Sequence, residues 1–157
     1  MPRRDISMTE SEVKQYVAAS HTLQVATIGA DGWPHVAPMW FVVDEDGRVA
    51  FRSFTKSQKI RNLNRNPTIT VLVESGIEYG DLQGVMIKGT ATLHSDRDVV
   101  LRIYGDIARK YHLLGVEDPD AELIEAALGS HASKNTAVTV NPVSIISWDH
   151  RKLLGAY

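Results

Sequence analysis

Pro34 and Pro38 stand four residues apart in one long extended run, Trp33-Pro34-His35-Val36-Ala37-Pro38-Met39-Trp40-Phe41-Val42-Val43. Proline has no N–H to give to a ladder. The run is therefore an edge strand, a bulged strand or a strand bent round a corner, and not the flat middle of a sheet. Turn signals bracket it, Ala30-Asp31-Gly32 before and Asp44-Glu45-Asp46-Gly47 after. Alternating apolar runs lie beyond both turns, at residues 23–29 and 48–54. Three consecutive strands joined by short turns predict an antiparallel meander.

Around this meander the period changes. Thr9 and Glu12 form a capping-box pair, so a short helix is expected over about 9–19, with Val13, Tyr16 and Val17 on one face. After Phe54 the segment Ser57–Asn66 turns helical, with Ile60 and Leu63 on its apolar side and Lys59, Arg61 and Arg65 toward solvent; Asn66-Pro67 ends it. Residues 68–74 read as a fourth strand, 75–83 as a loop and 84–94 as a fifth strand. The longest helix is expected from Asp96 to Tyr111, with Val99, Val100, Ile103, Ile107 and Tyr111 inward, and another follows Pro119. Residues 134–142 and 144–149 read as two closing strands, before a basic tail over 149–157. Trp33 is expected to pack in the core.

The fold class that follows is mainly β with peripheral helices: one domain over 1–157, a six- to seven-stranded antiparallel split β-barrel. So small a barrel is filled by its own side chains, so a large ligand belongs on its outer wall or between two subunits. The 157 residues include 17 Lys and Arg against 19 Asp and Glu, a net charge of -2 that predicts no pull toward nucleic acid or membrane. No cysteine is present, which removes disulfides, thiolate metal sites and thiol nucleophiles. With no apolar run of bilayer length and no apolar stretch in the charged N-terminus, a cytoplasmic protein is expected.

The segment Arg52-Ser53-Phe54-Thr55-Lys56-Ser57-Gln58-Lys59 lies where a strand gives way to a helix. Thr55 or Ser57 can cap that helix, whose free N–H groups and positive dipole end combine with Lys56 and Lys59. Such a terminus receives a phosphate, or is an ordinary capped surface helix. Ser53 and Lys56 also match the spacing of a serine acyl-enzyme, but Ser53 is on a strand and no partner motif follows, so that reading is discarded. The six histidines are scattered and no metal site is expected. Trp40 and Trp148 each pack in the core or wall a planar, anionic ligand.

The order of four segments, 26–41, 53–73, 84–93 and 147–153, resembles the pyridoxamine 5'-phosphate oxidase-like split β-barrel flavoproteins. It is most similar to their flavin/deazaflavin oxidoreductase branch that uses coenzyme F420. The resemblance runs from about Glu10 to Leu153. It implies a homodimer with two cofactor sites at its interface. It puts the phosphate of coenzyme F420, or alternatively of FMN, at Thr55, Ser57, Gln58 and Lys59, and the ring along Pro38, Met39, Trp40, Phe41, Arg52 and Ser53. Gln83 matches a glutamine brought by the second subunit, and Trp148 a tryptophan near the ring.

Val36-Ala37-Pro38 stand where true pyridoxamine-phosphate oxidases carry a flavin-binding arginine, so vitamin B6 oxidation is not expected. The resemblance implies hydride transfer between reduced coenzyme F420 and a small-molecule organic acceptor, the protein fixing the ring and excluding water. No residue stands out as an obligatory acid or base, and none is assigned as catalytic. Two alternatives share the site: an FMN-dependent oxidoreductase, and a carrier that binds a flavin or tetrapyrrole without turnover.

Overall fold

The computed structural model describes residues 5–154; the last three residues of the expected basic tail lie outside that range. In chain order the elements are α1 (Glu10–Ala19), β1 (Leu23–Ile28), β2 (Pro34–Met39), β3 (Val42–Val43), β4 (Val49–Phe54), α2 (Gln58–Arg65), β5 (Thr68–Ser75), β6 (Gln83–His94), α3 (Arg97–Lys110), α4 (Ala121–Ala132) and β7 (Asn135–Asp149), with short 3-10 turns at Tyr79–Asp81 and His150–Leu153. The seven strands form one antiparallel sheet in the order β2-β1-β5-β6-β7-β4-β3. No described helix is long and apolar enough to cross a membrane.

The break in the proline-bearing run explains how this sheet closes. β2 pairs with β1 at one edge, and β3 pairs with β4 at the other. Yet β2 ends at Met39 and β3 begins at Val42. Two intervening residues span at most about 11 Å, so the opposite edges must come together there and the sheet curls into a split barrel. The expected meander is thus real in chain order, but its middle strand breaks at Trp40-Phe41. Pro34 and Pro38, four apart, turn their nitrogens to the same side of an edge strand, which has one side free of neighbours.

Inside, Leu23, Val25, Phe41, Val49, Phe51, Ile69, Val71, Val73, Val85, Val138 and Val140 fill the barrel, and α2 contributes Ile60 and Leu63. On the outer face of β4, Ala50 meets Val100, Ile103 and Ile107 of α3, which α4 supports through Ile124 and Leu128. Because Arg52 lies two residues from Ala50, it too faces α3 rather than the barrel interior.

Helix starts follow the sequence closely. Thr9 and Glu12 complete the expected capping box of α1, while Asp96 and Asp120 cap α3 and α4 through their carboxylates. Two expectations need correction. The closing segments form one fifteen-residue strand, β7, running through Pro142, because a bulge between Lys88 and Gly89 sets Pro142 opposite Gly89. Trp33 does not enter the core: it is 74% exposed beside the β1–β2 turn, where its backbone N–H donates to the Asp31 carboxylate.

Candidate functional site

A cavity of about 410 Å³ opens on the outer wall where β2 breaks into β3, opposite β4 and α3, a volume ordinary for a small-molecule site. Pro38, Met39 and Trp40 form one side, Arg52, Ser53 and Phe54 the other, with Thr22 and Ile107 completing the lining. Sequence reasoning named Pro38, Met39, Trp40, Arg52 and Ser53, and these five converge here. Phe41 does not: its side chain is fully buried in the barrel core.

The aromatic wall is held from behind. The Trp40 indole, 49% exposed, stacks on Tyr111 with ring centroids 4.8 Å apart and planes 18° apart. The Tyr111 hydroxyl sits within 2.9 Å of the His21 carbonyl and 3.1 Å of both the N–H and the carbonyl of Phe41. Arg52 lies 3.8 Å above the Tyr104 ring and donates to Asn135 Oδ1 at 3.1 Å. Asn135 is itself anchored by donating to the His131 carbonyl. The guanidinium is therefore fixed by a ring and an amide, leaving its charge for a ligand.

Ser53 joins the cavity to the start of α2. Its Oγ lies 3.0 Å from Ser57 Oγ and accepts from Lys59 Nζ at 3.3 Å. Ser57 occupies the N-cap position as one of the two expected hydroxyls, yet its side chain makes no capping bond; the hydroxyl turns to Ser53 instead. The first N–H groups of α2 thus have no side-chain acceptor at the cap. Thr55 is directed elsewhere, its Oγ1 2.9 Å from Thr136 Oγ1. Burial pushes the Lys59 ammonium below the usual lysine pKa, so an anion beside it regains electrostatic energy.

Gln58 is set by a residue that periodicity alone did not single out. Asn62 is fully buried among apolar neighbours. Its Nδ2 donates to Thr27 Oγ1 at 3.0 Å, and its Oδ1 accepts from Gln58 Nε2 at 2.8 Å and Arg65 Nη2 at 3.4 Å. A polar residue between Ile60 and Leu63, one turn after Gln58, was the signal available. Among the described residues, Arg52, Lys56, Lys59, Arg61 and Arg65 form no ion pair. Lys59 and the hydroxyls of Ser53 and Ser57, gathered at the start of α2 without a carboxylate, suit a phosphate monoester.

Gln83 and Trp148 lie away from this cavity within the chain. Gln83 donates to Asp149 Oδ2 at 3.2 Å and its carbonyl accepts from the Tyr16 hydroxyl. Trp148 lies against Gly84, its cross-strand partner, so closely that a Cβ there would collide with the indole.

Comparison with known proteins agrees with the barrel. The family described as pyridoxamine 5'-phosphate oxidase matches residues 9–148. A 5a,11a-dehydrotetracycline/5a,11a-dehydrooxytetracycline reductase of Streptomyces rimosus is 32% identical over 89 residues, covering 53% of this chain and 61% of that protein. The match thus spans about three-fifths of that relative's length. A conserved hypothetical protein from Mycobacterium tuberculosis superposes with a TM-score of 0.88 at 32% identity, covering 100% of this chain and 94% of that one. A protein named an F420 reductase shares the fold, with a TM-score of 0.65 at 21% identity over 85% of this chain and 94% of its own.

Proposed function

Because the chain belongs to the pyridoxamine 5'-phosphate oxidase family, we propose that it is an oxidoreductase in which reduced coenzyme F420, seated at the Trp40–Arg52 cavity, serves a small organic acceptor. The observation that carries this reading is the junction at Ser53, which lines the cavity and hydrogen-bonds both Ser57 and Lys59. A planar ring against Trp40 can thereby continue into a phosphate at the start of α2. Lys56 and Arg61, exposed and outside every ion pair among the described residues, with Arg65, which donates to the Ile28 carbonyl, favour a cofactor whose tail carries carboxylates, which FMN lacks. Kinship with a reductase and a fold in common with a protein named an F420 reductase support the same class.

When bound, the reduced deazaflavin supplies a hydride. The chain's own contribution is placement. Trp40 and Pro38 offer a flat apolar surface, Arg52 a fixed positive charge, and Ser57 and Lys59 hold the phosphate. The lining of this cavity contains no His, Asp, Glu or Lys, so no acid or base is assigned within it. The absence of the flavin-binding arginine at Val36-Ala37-Pro38 argues against oxidation of a pyridoxamine phosphate. The site is completed in a homodimer, with Gln83 and Trp148 reaching the cavity of the partner. Both lie outside the chain's own cavity, and Val143, Ile145 and Ile146 leave an exposed apolar stretch on β7 of the kind subunits cover.

Tryptophan-fluorescence titration of cofactor-free protein tests this reading. Coenzyme F420 is expected to quench Trp40 at low micromolar concentration and FMN at much higher concentration. Lys59→Ala is expected to weaken binding by about 1.5–3 kcal/mol, the scale of a charge-assisted hydrogen bond. Tighter binding of FMN would move the protein to the flavin branch, and silence from both would overturn the cofactor site. Turnover of the reduced cofactor by enones or quinones separates a reductase from a carrier.

A further inference from the structure

Beside the Trp40 cavity lies a second, of about 530 Å³, between the end of α1 and the β1–β5 pair. Thr22 lines both, so the two cavities adjoin at that residue. The chemistry of their walls differs. The first cavity is mostly apolar and carries one charge, that of Arg52. The second presents Tyr16, Ser20, His21, Gln24 and Glu74, a set rich in hydroxyl, amide and imidazole groups, and its formal charge is the Glu74 carboxylate.

Glu74 is exposed and, among the described residues, pairs with no cation. Its carboxylate lines the cavity beside Tyr16, whose phenol is held above its ordinary pKa by burial, against the pull of the Ser75 hydrogen bond and with a smaller push from the Glu74 charge. Arg151, whose charge acts on Tyr16 in the opposite sense, is paired with Asp149 at 2.7 Å. The cavities are also mechanically linked. The His21 ring stands edge-on to Tyr111, centroids 5.9 Å apart, and Tyr111 backs Trp40.

We propose that this second cavity is the acceptor subsite, and that it takes an uncharged or cationic molecule bearing carbonyl or hydroxyl groups in preference to an anion. The inference rests on the first cavity being the cofactor site. An anionic cofactor at Arg52 and an acceptor beside Glu74 would then be sorted by opposite charge, each excluded from the other's place.

Three 1,4-naphthoquinones test it: menadione, a trimethylammonium analogue and a sulfonate analogue. Their binding to cofactor-free protein is measured by calorimetry at low salt, in the wild type, Glu74→Gln and Glu74→Lys. The wild type is expected to bind the ammonium probe tightest and the sulfonate weakest. Glu74→Gln should narrow the ammonium-to-sulfonate ratio by about tenfold and Glu74→Lys should invert it, with 0.5 M salt erasing most of the difference. Affinity for coenzyme F420 should change less than about twofold in both variants.

A charge preference indifferent to residue 74 would overturn the proposal. So would failure of all three probes to bind at millimolar concentration, or displacement of a probe by coenzyme F420. Probe binding that depends on Glu74 while coenzyme F420 leaves Trp40 unquenched would sustain the second cavity as a binding site and sink the cofactor reading.

Discussion

Lys110 closes α3 with its ammonium turned inward. The Nζ is enclosed, has no hydrogen-bond partner among the described residues and sits 3.8 Å from the centre of the Phe41 ring. The ring offsets part of the cost of burying the charge, but burial still pushes the pKa down to about 8 from 10.5. Between those two values the unfolded chain holds a proton that the folded one has released, so stability rises with pH across that window. Below pH 8 both states are protonated and the penalty is present in full. Lys110→Met is expected to raise the midpoint of thermal unfolding at pH 7 and to flatten the rise between pH 8 and 10; differential scanning calorimetry over that range checks both. Residues of this kind were not legible in the sequence, because their meaning lies in remote partners. Asn62, Tyr111 and Lys110 stand on helix faces whose periodicity says only that they turn inward. By contrast, the Thr9–Glu12 pair carries its own partner three residues on, and it was readable. Ser57 falls between: its position at the helix start was expected, but its bond to Ser53 depends on the curvature of β4 into α2.

At the scale of elements, local signals succeeded where each element ends on its own punctuation. The helices were found through Asp96, Pro119 and Asn66-Pro67. The long strand β7 was split in two because a proline in a central strand argues for a boundary, and the reason it continues resides in another strand. Gly89 of β6 lies at the bulge, and a Cβ there would collide with the carbonyl oxygen of Asn141. Backbone cannot swing aside as a side-chain tip can, so the bulge requires glycine at this point. Gly89→Ala is expected to destabilise the fold by about 1–3 kcal/mol, the range for forcing atoms into a filled space, read as a lower urea midpoint with an unchanged slope. Gly84→Ala makes a useful contrast. There the collision is with the Trp148 indole, which can move, so the expected change is a shift in Trp148 emission with a smaller loss of stability.

For the whole molecule, the site exists because the barrel closes where it does. The run 33–43 was readable as bent, but the sequence does not say that its halves lie on opposite edges of one sheet. That follows from the complete strand order, which depends on pairings such as β5 with β6 and β4 with β7. Tyr111 is the clasp at the junction. One hydroxyl meets the carbonyl of His21, ahead of β1, and both backbone groups of Phe41, between β2 and β3. Its ring also supports Trp40. These two roles can be separated by substitution. Tyr111→Phe keeps the ring and leaves three backbone groups without their partner, at a cost of about 1–3 kcal/mol. The loss should be local to the seam, so hydrogen exchange of the Phe41 amide should accelerate more than that of Val71 or Val85 in the opposite wall. Trp40 should keep its emission, and cofactor-induced quenching should persist. Tyr111→Leu removes the ring as well: the Trp40 spectrum should shift toward that of a solvated indole and quenching should weaken. If Tyr111→Phe left exchange at Phe41 unchanged, the seam would be held by the sheet alone. If Tyr111→Leu left the Trp40 emission unchanged, the indole would owe its position to β2 and not to α3.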